Sequence, residues 1–132
     1  MSELDENIAI YIKHMNEIPL LSFEKEKELS EIIQRRLAIH AHVKDENKRR
    51  EKENIDKELS SAIENIVKAN LRLVVKESFK FNKITGVEIK DLIGAGNLGL
   101  VKSSYLYDAA KHNTRFATYA TYWIRQAIFE VI

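Results

Sequence analysis

Seven of the chain's eleven aromatic residues fall in one stretch: Tyr105, Tyr107, Phe116, Tyr119, Tyr122, Trp123 and Phe129. Lys102, Lys111, Arg115 and Arg125 are interleaved with them, along with His112, and only Asp108 and Glu130 oppose these cations. Rings among cations are what a single-stranded nucleic-acid site requires. The cations meet phosphates, and each ring stacks on a base for about 1–3 kcal/mol. The same residues suit a packed core or a protein interface, and composition leaves all three readings open. Helical geometry adds one constraint: Phe116, Tyr119, Trp123 and Arg125 cannot all share a helix face, so some must meet solvent.

A second pattern, Gly94-Ala95-Gly96-Asn97-Leu98-Gly99, matches the dinucleotide fingerprint G-x-G-x-x-G. That fingerprint works only after a strand, opening a helix inside a βαβ unit. The residues before it look helical and no strand follows, so small residues that let two helices approach are the better reading. Each glycine inside a helix costs up to about 1 kcal/mol relative to alanine. Close packing or a docked partner has to offset that. The four histidines, His14, His40, His42 and His112, are scattered, and His40 and His42 point to different helix faces. With no cysteine in the chain, disulfides, thiolate zinc sites and cysteine nucleophiles are excluded. No metal site, no cofactor and no catalytic constellation is expected; the chain reads as a non-enzyme.

The elements that must position these residues are helices. Four glycines and one proline are too few for a turn-rich β fold, and the 31% of charged residues is dominated by the helix formers Glu and Lys. A 45% hydrophobic content is enough for a core. The expected fold is all-α, a compact domain of four to five helices with a short N-terminal helical extension. Ile8, Tyr11, Ile12 and Met15 mark a short helix, interrupted at Pro19. Ser22 is placed to cap the next, with Glu24 in its first turn and Leu29, Ile32, Ile33 and Leu37 on its buried face. A stripe from Leu59 through Ala62, Ile63, Ile66, Val67, Leu71 and Val74 predicts one helix to about Phe81, with a break over 82–86. Asp91 is expected to cap an apolar segment from Leu92 to Tyr107, and a polar gap over 109–114 precedes a last helix over 116–132. Twelve of the fifteen residues over 44–58 are charged with alternating sign, which predicts a solvated helix or connector. The organisation is thus 1–43, an N-terminal helical segment; 44–58, a charged spacer; and 59–132, the main domain.

Net charge is +1, from 21 basic and 20 acidic residues, so any nucleic-acid binding must come from a local patch. No run of about 18 apolar residues exists to span a membrane, and the acidic N-terminus is unlike a signal peptide. The expected location is the cytoplasm.

Three ordered blocks carry a resemblance: Ala69-Asn70-Leu71-Arg72-Leu73-Val74-Val75; Asp91-Leu92-Ile93 with Gly96-Asn97-Leu98-Gly99-Leu100; and Phe116-Ala117-Thr118-Tyr119-Ala120-Thr121-Tyr122-Trp123-Ile124-Arg125-Gln126-Ala127-Ile128. Together they resemble the second conserved region of the sigma-70 family of bacterial RNA polymerase sigma factors. Tyr11 to Glu31, with Ile18-Pro19-Leu20-Leu21-Ser22, is similar to the short region just upstream in primary sigma factors. The charged stretch falls where the family carries a variable spacer. One extra residue stands between Val75 and Asp91 and another between Leu100 and Phe116.

The resemblance implies a non-catalytic promoter-recognition subunit whose partners are the polymerase core and promoter DNA. It implies that Asp91, Leu92, Ile93, Gly96, Asn97, Leu98, Leu100 and Val101 dock on a coiled coil of the largest polymerase subunit. It further implies that the following helices capture the unwound non-template strand of the −10 element and flip out two bases. Carried over by position, Tyr119 stacks on the flipped adenine in a pocket with Phe116, Tyr107 and Asp108, and Arg115 neutralises phosphate. Tyr122 and Trp123 wedge the upstream edge of the bubble, with Arg125 nearby, and Gln126 reads the last paired base. Asn70, Leu73, Thr118 and Glu26 hold the second flipped base. Tyr11, Ile12 and Lys13 touch the strand downstream.

The sequence departs from the pattern at several places. Gly94-Ala95 replace a usual Gln-Glu polar contact to polymerase, Phe129 and Glu130 replace a hydroxyl and a basic residue, Thr114 replaces an aromatic, and Ala117 replaces Ser. A non-standard −10 preference follows. The sequence given also lacks the family's later domains, including the reader of the −35 element. It reads as a fragment or as a compact sigma of the kind some bacteriophages encode, which relies on accessory factors for upstream contact. A competing reading is a regulator or mimic, of anti-sigma or decoy type, that docks on core without opening DNA. Such a protein would keep Leu92 to Val101 and lose the aromatics, and Tyr119, Tyr122 and Trp123 are present.

Overall fold

The computed structural model describes residues 3–42 and 49–132. Among these, seven helices and no strands are found: α1 (Glu3–Asn16), α2 (Phe23–His42), α3 (Arg49–Lys68), α4 (Leu71–Thr85), α5 (Ile89–Leu106), α6 (Ala109–His112) and α7 (Phe116–Phe129). The all-α expectation holds. Ser22 caps α2 as its type predicts, its Oγ accepting from the Lys25 amide at 3.1 Å, and Glu24 lies in the first turn.

Other boundaries differ from expectation, each for a local reason. The single helix expected over 59–81 is broken at Ala69-Asn70. The Asn70 side chain turns back to donate to the Ile66 carbonyl at 2.7 Å, so it competes with the helical ladder. The apolar stripe resumes in phase in α4, which is why periodicity did not show the break. The break expected over 82–86 lies instead at 86–88, opened by Gly86, whose φ of 75° supplies the left-handed turn that ends α4. Asp91 is not the cap of α5. That helix begins at Ile89, and Asp91 lies in its first turn, where the dipole favours it. The polar gap contains α6, capped by the Asp108 carboxylate accepting from the Lys111 amide at 3.3 Å and closed by Asn113 at φ 47°. Of the charged spacer, 49–58 form the first half of α3, and 44–48 lie outside the described residues.

The core is a layer of stripes. α7 buries Phe116, Ala120, Ile124 and Ile128, one residue per turn, against α5. α5 answers with Leu92, Gly96, Gly99, Leu100 and Ser103. α4 adds Val74 and packs on α5 as well, while α3 adds Ile66 and α2 adds Ile33 from the pair they form beside it. α1 packs on α4. The glycines on α5 explain how close the central pair comes. A Cβ on Gly99 would stand 2.5 Å from the Trp123 carbonyl oxygen, and one on Gly96 would stand 2.7 Å from a Val74 methyl. The close-packing reading of the G-x-G-x-x-G stretch therefore accounts for these two. Gly94 faces open space.

Candidate nucleic-acid interface

Five aromatic residues of the 105–129 stretch, Tyr107, Phe116, Tyr119, Tyr122 and Trp123, form a graded wall. At its inner end Phe116 and Tyr107 are fully buried and meet edge to face, with centroids 5.2 Å apart. Tyr119 is half-buried in front of Tyr107 at 5.5 Å. Trp123 lies one turn further along α7, its ring 6.5 Å from that of Tyr119, and the Lys102 ammonium sits 4.8 Å over the indole. Tyr122 ends the run, edge-on to Trp123 at 5.3 Å and 59% exposed. Burial thus changes with position along the wall. Its inner rings are core, and its outer rings stand on that core facing outward. Tyr119 is partly accessible and close to Trp123, as base capture requires.

One stripe of α2 holds the segment that carries this wall. Glu26, Ser30 and Gln34 repeat every four residues and so share a helix face. Ser30 Oγ donates to the Tyr107 carbonyl and accepts from the Ala109 amide, both at 3.0 Å. Gln34 Nε2 donates to the carbonyls of Tyr105 and Tyr107 at 2.9 and 3.1 Å. Glu26, buried, accepts from Arg115 Nε at 2.9 Å and from the Phe116 amide at 3.2 Å, anchoring the first turn of α7. Sequence reasoning missed Ser30 and Gln34. Their four-residue spacing with Glu26 was visible, but a polar stripe ordinarily marks a solvated face.

Electrostatics follow from these contacts. Burial pushes the Tyr107 phenol up to about 12, helped by the Glu26 charge and opposed by Arg115, and its hydroxyl donates to the Thr114 carbonyl. The Glu26 carboxylate, by hydrogen bond and charge, holds the Arg115 guanidinium protonated beyond its ordinary range; Glu77 does the same for Arg125.

Contacts within the protein already engage several of the residues singled out by the sequence. Tyr107 and Phe116 are both fully buried, Tyr107 behind Tyr119 and Phe116 against Tyr107. Glu26 has both oxygens turned to Arg115, so it is not presented to a base. Arg115 also donates to the Leu21 carbonyl at 3.1 Å, so its charge is shared with the protein and not left to phosphate. Arg125 is paired through two nitrogens with the buried Glu77 at 3.0 and 3.2 Å. Asp108 is the cap of α6. In the docking set, Leu92, Gly96 and Leu100 are core residues, while Asp91, Leu98 and Val101 are exposed. Ile93 and Asn97 turn toward α1 and share a cleft of about 300 Å³ with Tyr11 and Lys90.

The remaining residues sit as follows. Asn70 precedes α4 and Leu73 lies in its first turn, both half-buried. Thr118 and Gln126 are exposed on α7, and Lys13 is exposed on α1 beside half-buried Ile12. The exposed face of α5 shows a regular pattern: Asp91, Gly94, Leu98, Val101 and Tyr105 recur at alternating three- and four-residue steps, the seam spacing of a coiled coil. Among the described residues, no group of three or more His, Asp or Glu is placed to hold a metal, and no helix is long and apolar enough to cross a membrane.

Comparison with known proteins agrees with this architecture. The family described as Sigma-70 region 2 matches residues 66–132, and the family described as Sigma-70 factor, region 1.2 matches residues 7–36. The chain belongs to the sigma-70 family. It is 36% identical over 129 residues to RNA polymerase sigma factor SigA of Clostridium acetobutylicum, covering 98% of this chain and 28% of that protein. To RNA polymerase sigma factor SigA4 of Synechococcus elongatus it is 35% identical over 127 residues, covering 96% of this chain and 40% of that protein. To RNA polymerase principal sigma factor HrdD of Streptomyces griseus it is 35% identical over 128 residues, covering 92% and 38% respectively. The chain thus spans between 28% and 40% of the length of these relatives.

Proposed function

We propose that this chain acts in transcription initiation as a sigma factor, docking on RNA polymerase core and capturing the unwound non-template strand of the −10 element. The observation that carries the reading is the graded aromatic wall: a half-buried Tyr119 held from behind by buried Tyr107, itself packed on Phe116, with Trp123 and exposed Tyr122 continuing it. A neutral molecule that places stackable rings at its surface beside Lys102 and Lys111 is suited to unpaired bases more than to a duplex. In this reading Tyr119 stacks on a flipped adenine, Tyr122 and Trp123 wedge the edge of the bubble, and Gln126 meets the last base pair. Asn70, Leu73 and Thr118 serve the second base, and Tyr11, Ile12 and Lys13 the strand beyond. Flipping costs a few kcal/mol, which stacking must offset.

Docking uses the outer face of α5. The Asp91, Gly94, Leu98, Val101 and Tyr105 seam suits a coiled coil, the shape the resemblance assigns to the largest polymerase subunit. Leu98, 74% exposed, is its central knob. The family's polar pair is Gly94-Ala95 here, so the contact is apolar and close.

The test is permanganate footprinting of unpaired thymines with holoenzyme reconstituted from each variant. Tyr119→Ala loses about 1–3 kcal/mol of stacking, roughly ten- to a hundredfold in open-complex stability, with core binding intact. Tyr119→Phe keeps the π-face and stays near the parent. Leu98→Asp abolishes co-purification with core while leaving the fold unchanged, since the side chain is on the surface. Full melting by Tyr119→Ala would return the aromatic wall to a packing role.

A further inference from the structure

His112 has no role in the arrangement above, yet its ring is the one laid closest to Tyr119. The centroids are 4.5 Å apart and the planes 30° from parallel. The other two rings around Tyr119 do not stack on it: Tyr107 is tilted by 40° behind it, and Trp123 presents its edge at 61°. His112 is itself exposed, at the end of the four-residue α6. Its Nδ1 accepts from the Asp108 amide at 3.1 Å, which sets the ring's orientation, and Asn113 at φ 47° turns the chain away immediately after it. This short turn therefore aims an aromatic ring at the Tyr119 face from the solvent side. A flat, nitrogen-containing ring in stacking contact at that place has the shape and chemistry of a small nucleobase.

Resting on the base-capture reading, we propose that His112 is an internal stand-in for the captured base. In the free protein its imidazole covers the face of Tyr119 on which a base stacks, and an incoming base displaces it. The cover keeps an apolar ring face out of water until DNA opens. Exchange trades the imidazole's stacking on Tyr119 for that of a base, which overlaps the phenol more fully, and this must offset the loss of the imidazole's parallel contact with Tyr107 at 6.2 Å and its bond from the Asp108 amide. His112 is thus a positioning residue that lowers apparent affinity by the fraction of time it occupies the face. A competitor of this kind acts before any base is read, so it weakens binding of every base by the same factor and leaves the preference among them unchanged. A direct base contact would do the opposite, helping some bases and not others.

The experiment titrates the full chain with fluorescent single-stranded oligonucleotides that differ at one position, carrying adenine, guanine, cytosine or thymine. His112→Ala removes the ring. His112→Asn also removes it but keeps an acceptor for the Asp108 amide, which guards against loss of the α6 turn. Both variants are expected to bind all four oligonucleotides roughly two- to tenfold more tightly, the worth of one aromatic contact, with the order of preference unchanged. In the parent, the ring-current shift that Tyr119 imposes on the His112 ring protons should vanish as oligonucleotide is added. Weaker binding, an unchanged affinity, or a change confined to one base would overturn the proposal. Tyr119→Ala separates this from the reading it rests on. If that variant binds as the parent does, base capture at Tyr119 is wrong; if it loses binding while His112→Ala also weakens, only the stand-in role fails.

Discussion

Tyr107 shows how one residue serves the site without touching its ligand. It is fully buried, and its ring supports Tyr119 while its hydroxyl is spent on the Thr114 carbonyl. Burial first, and the Glu26 charge second, raise its ionisation from the ordinary 10.0 to about 12. The neutral phenol is therefore the form the folded state favours. The stability this contributes is fully present below pH 10 and is lost as pH climbs toward 12, because the unfolded chain ionises first. An alkaline titration followed by tyrosinate absorbance and by circular dichroism should show Tyr107 ionising only together with the loss of helix. Ionisation of all five tyrosines in a single step with the fold intact would contradict the placement of Tyr107. Glu26 and Arg115 show the same principle, since a cation that the resemblance assigns to phosphate is paired with a buried carboxylate of α2.

Among the elements, α5 and α7 are set by their glycines. Gly99 faces the Trp123 backbone, so Gly99→Ala forces the helices apart and should cost about 1–3 kcal/mol, the usual range for overpacking. Gly94 faces open space within the same helix, so Gly94→Ala should gain up to about 1 kcal/mol of helix propensity. Urea midpoints at unchanged slope would separate the two; a Gly99→Ala protein as stable as the parent would mean the helices are not in close contact there. Sequence reasoning could name close packing or a docked partner as the reason for these glycines. It could not see which of the three faced inward, because Gly96 had been placed on the docking surface. The all-α class, the Ser22 cap and the helices carrying the aromatics were legible because scarce glycine and proline and stripes of period 3.6 are local signals. The turn at Ala69-Asn70 was not, since the stripe crosses it in phase. Nor was α6, a four-residue helix with no apolar periodicity. The Glu26–Arg115 and Glu77–Arg125 pairs join positions 89 and 48 residues apart, and nothing in the chain's local pattern announces which charges will meet.

For the molecule as a whole, the near-balance of charge is deepened by structure. Two arginines of the candidate interface are already paired with buried carboxylates, so fewer cations remain for phosphate than the sequence shows. Binding to duplex DNA by the chain alone should be weak, with a shallow salt slope, because few counterions are released. Anisotropy titrations across a salt series would reveal this, and tight duplex binding that survives physiological salt would count against the proposed function. The bonds from α2 to the aromatic segment have a further consequence. They span between 71 and 90 residues of chain, and a loop of that length must close, at an entropic cost, before any of them can form. The α4–α5 and α5–α7 pairings join neighbours along the chain and need no such closure. The tie between α2 and the aromatic segment is therefore the part of the fold that topology makes slowest to form, and substitutions at Ser30 and Gln34 should speed unfolding more than they slow folding.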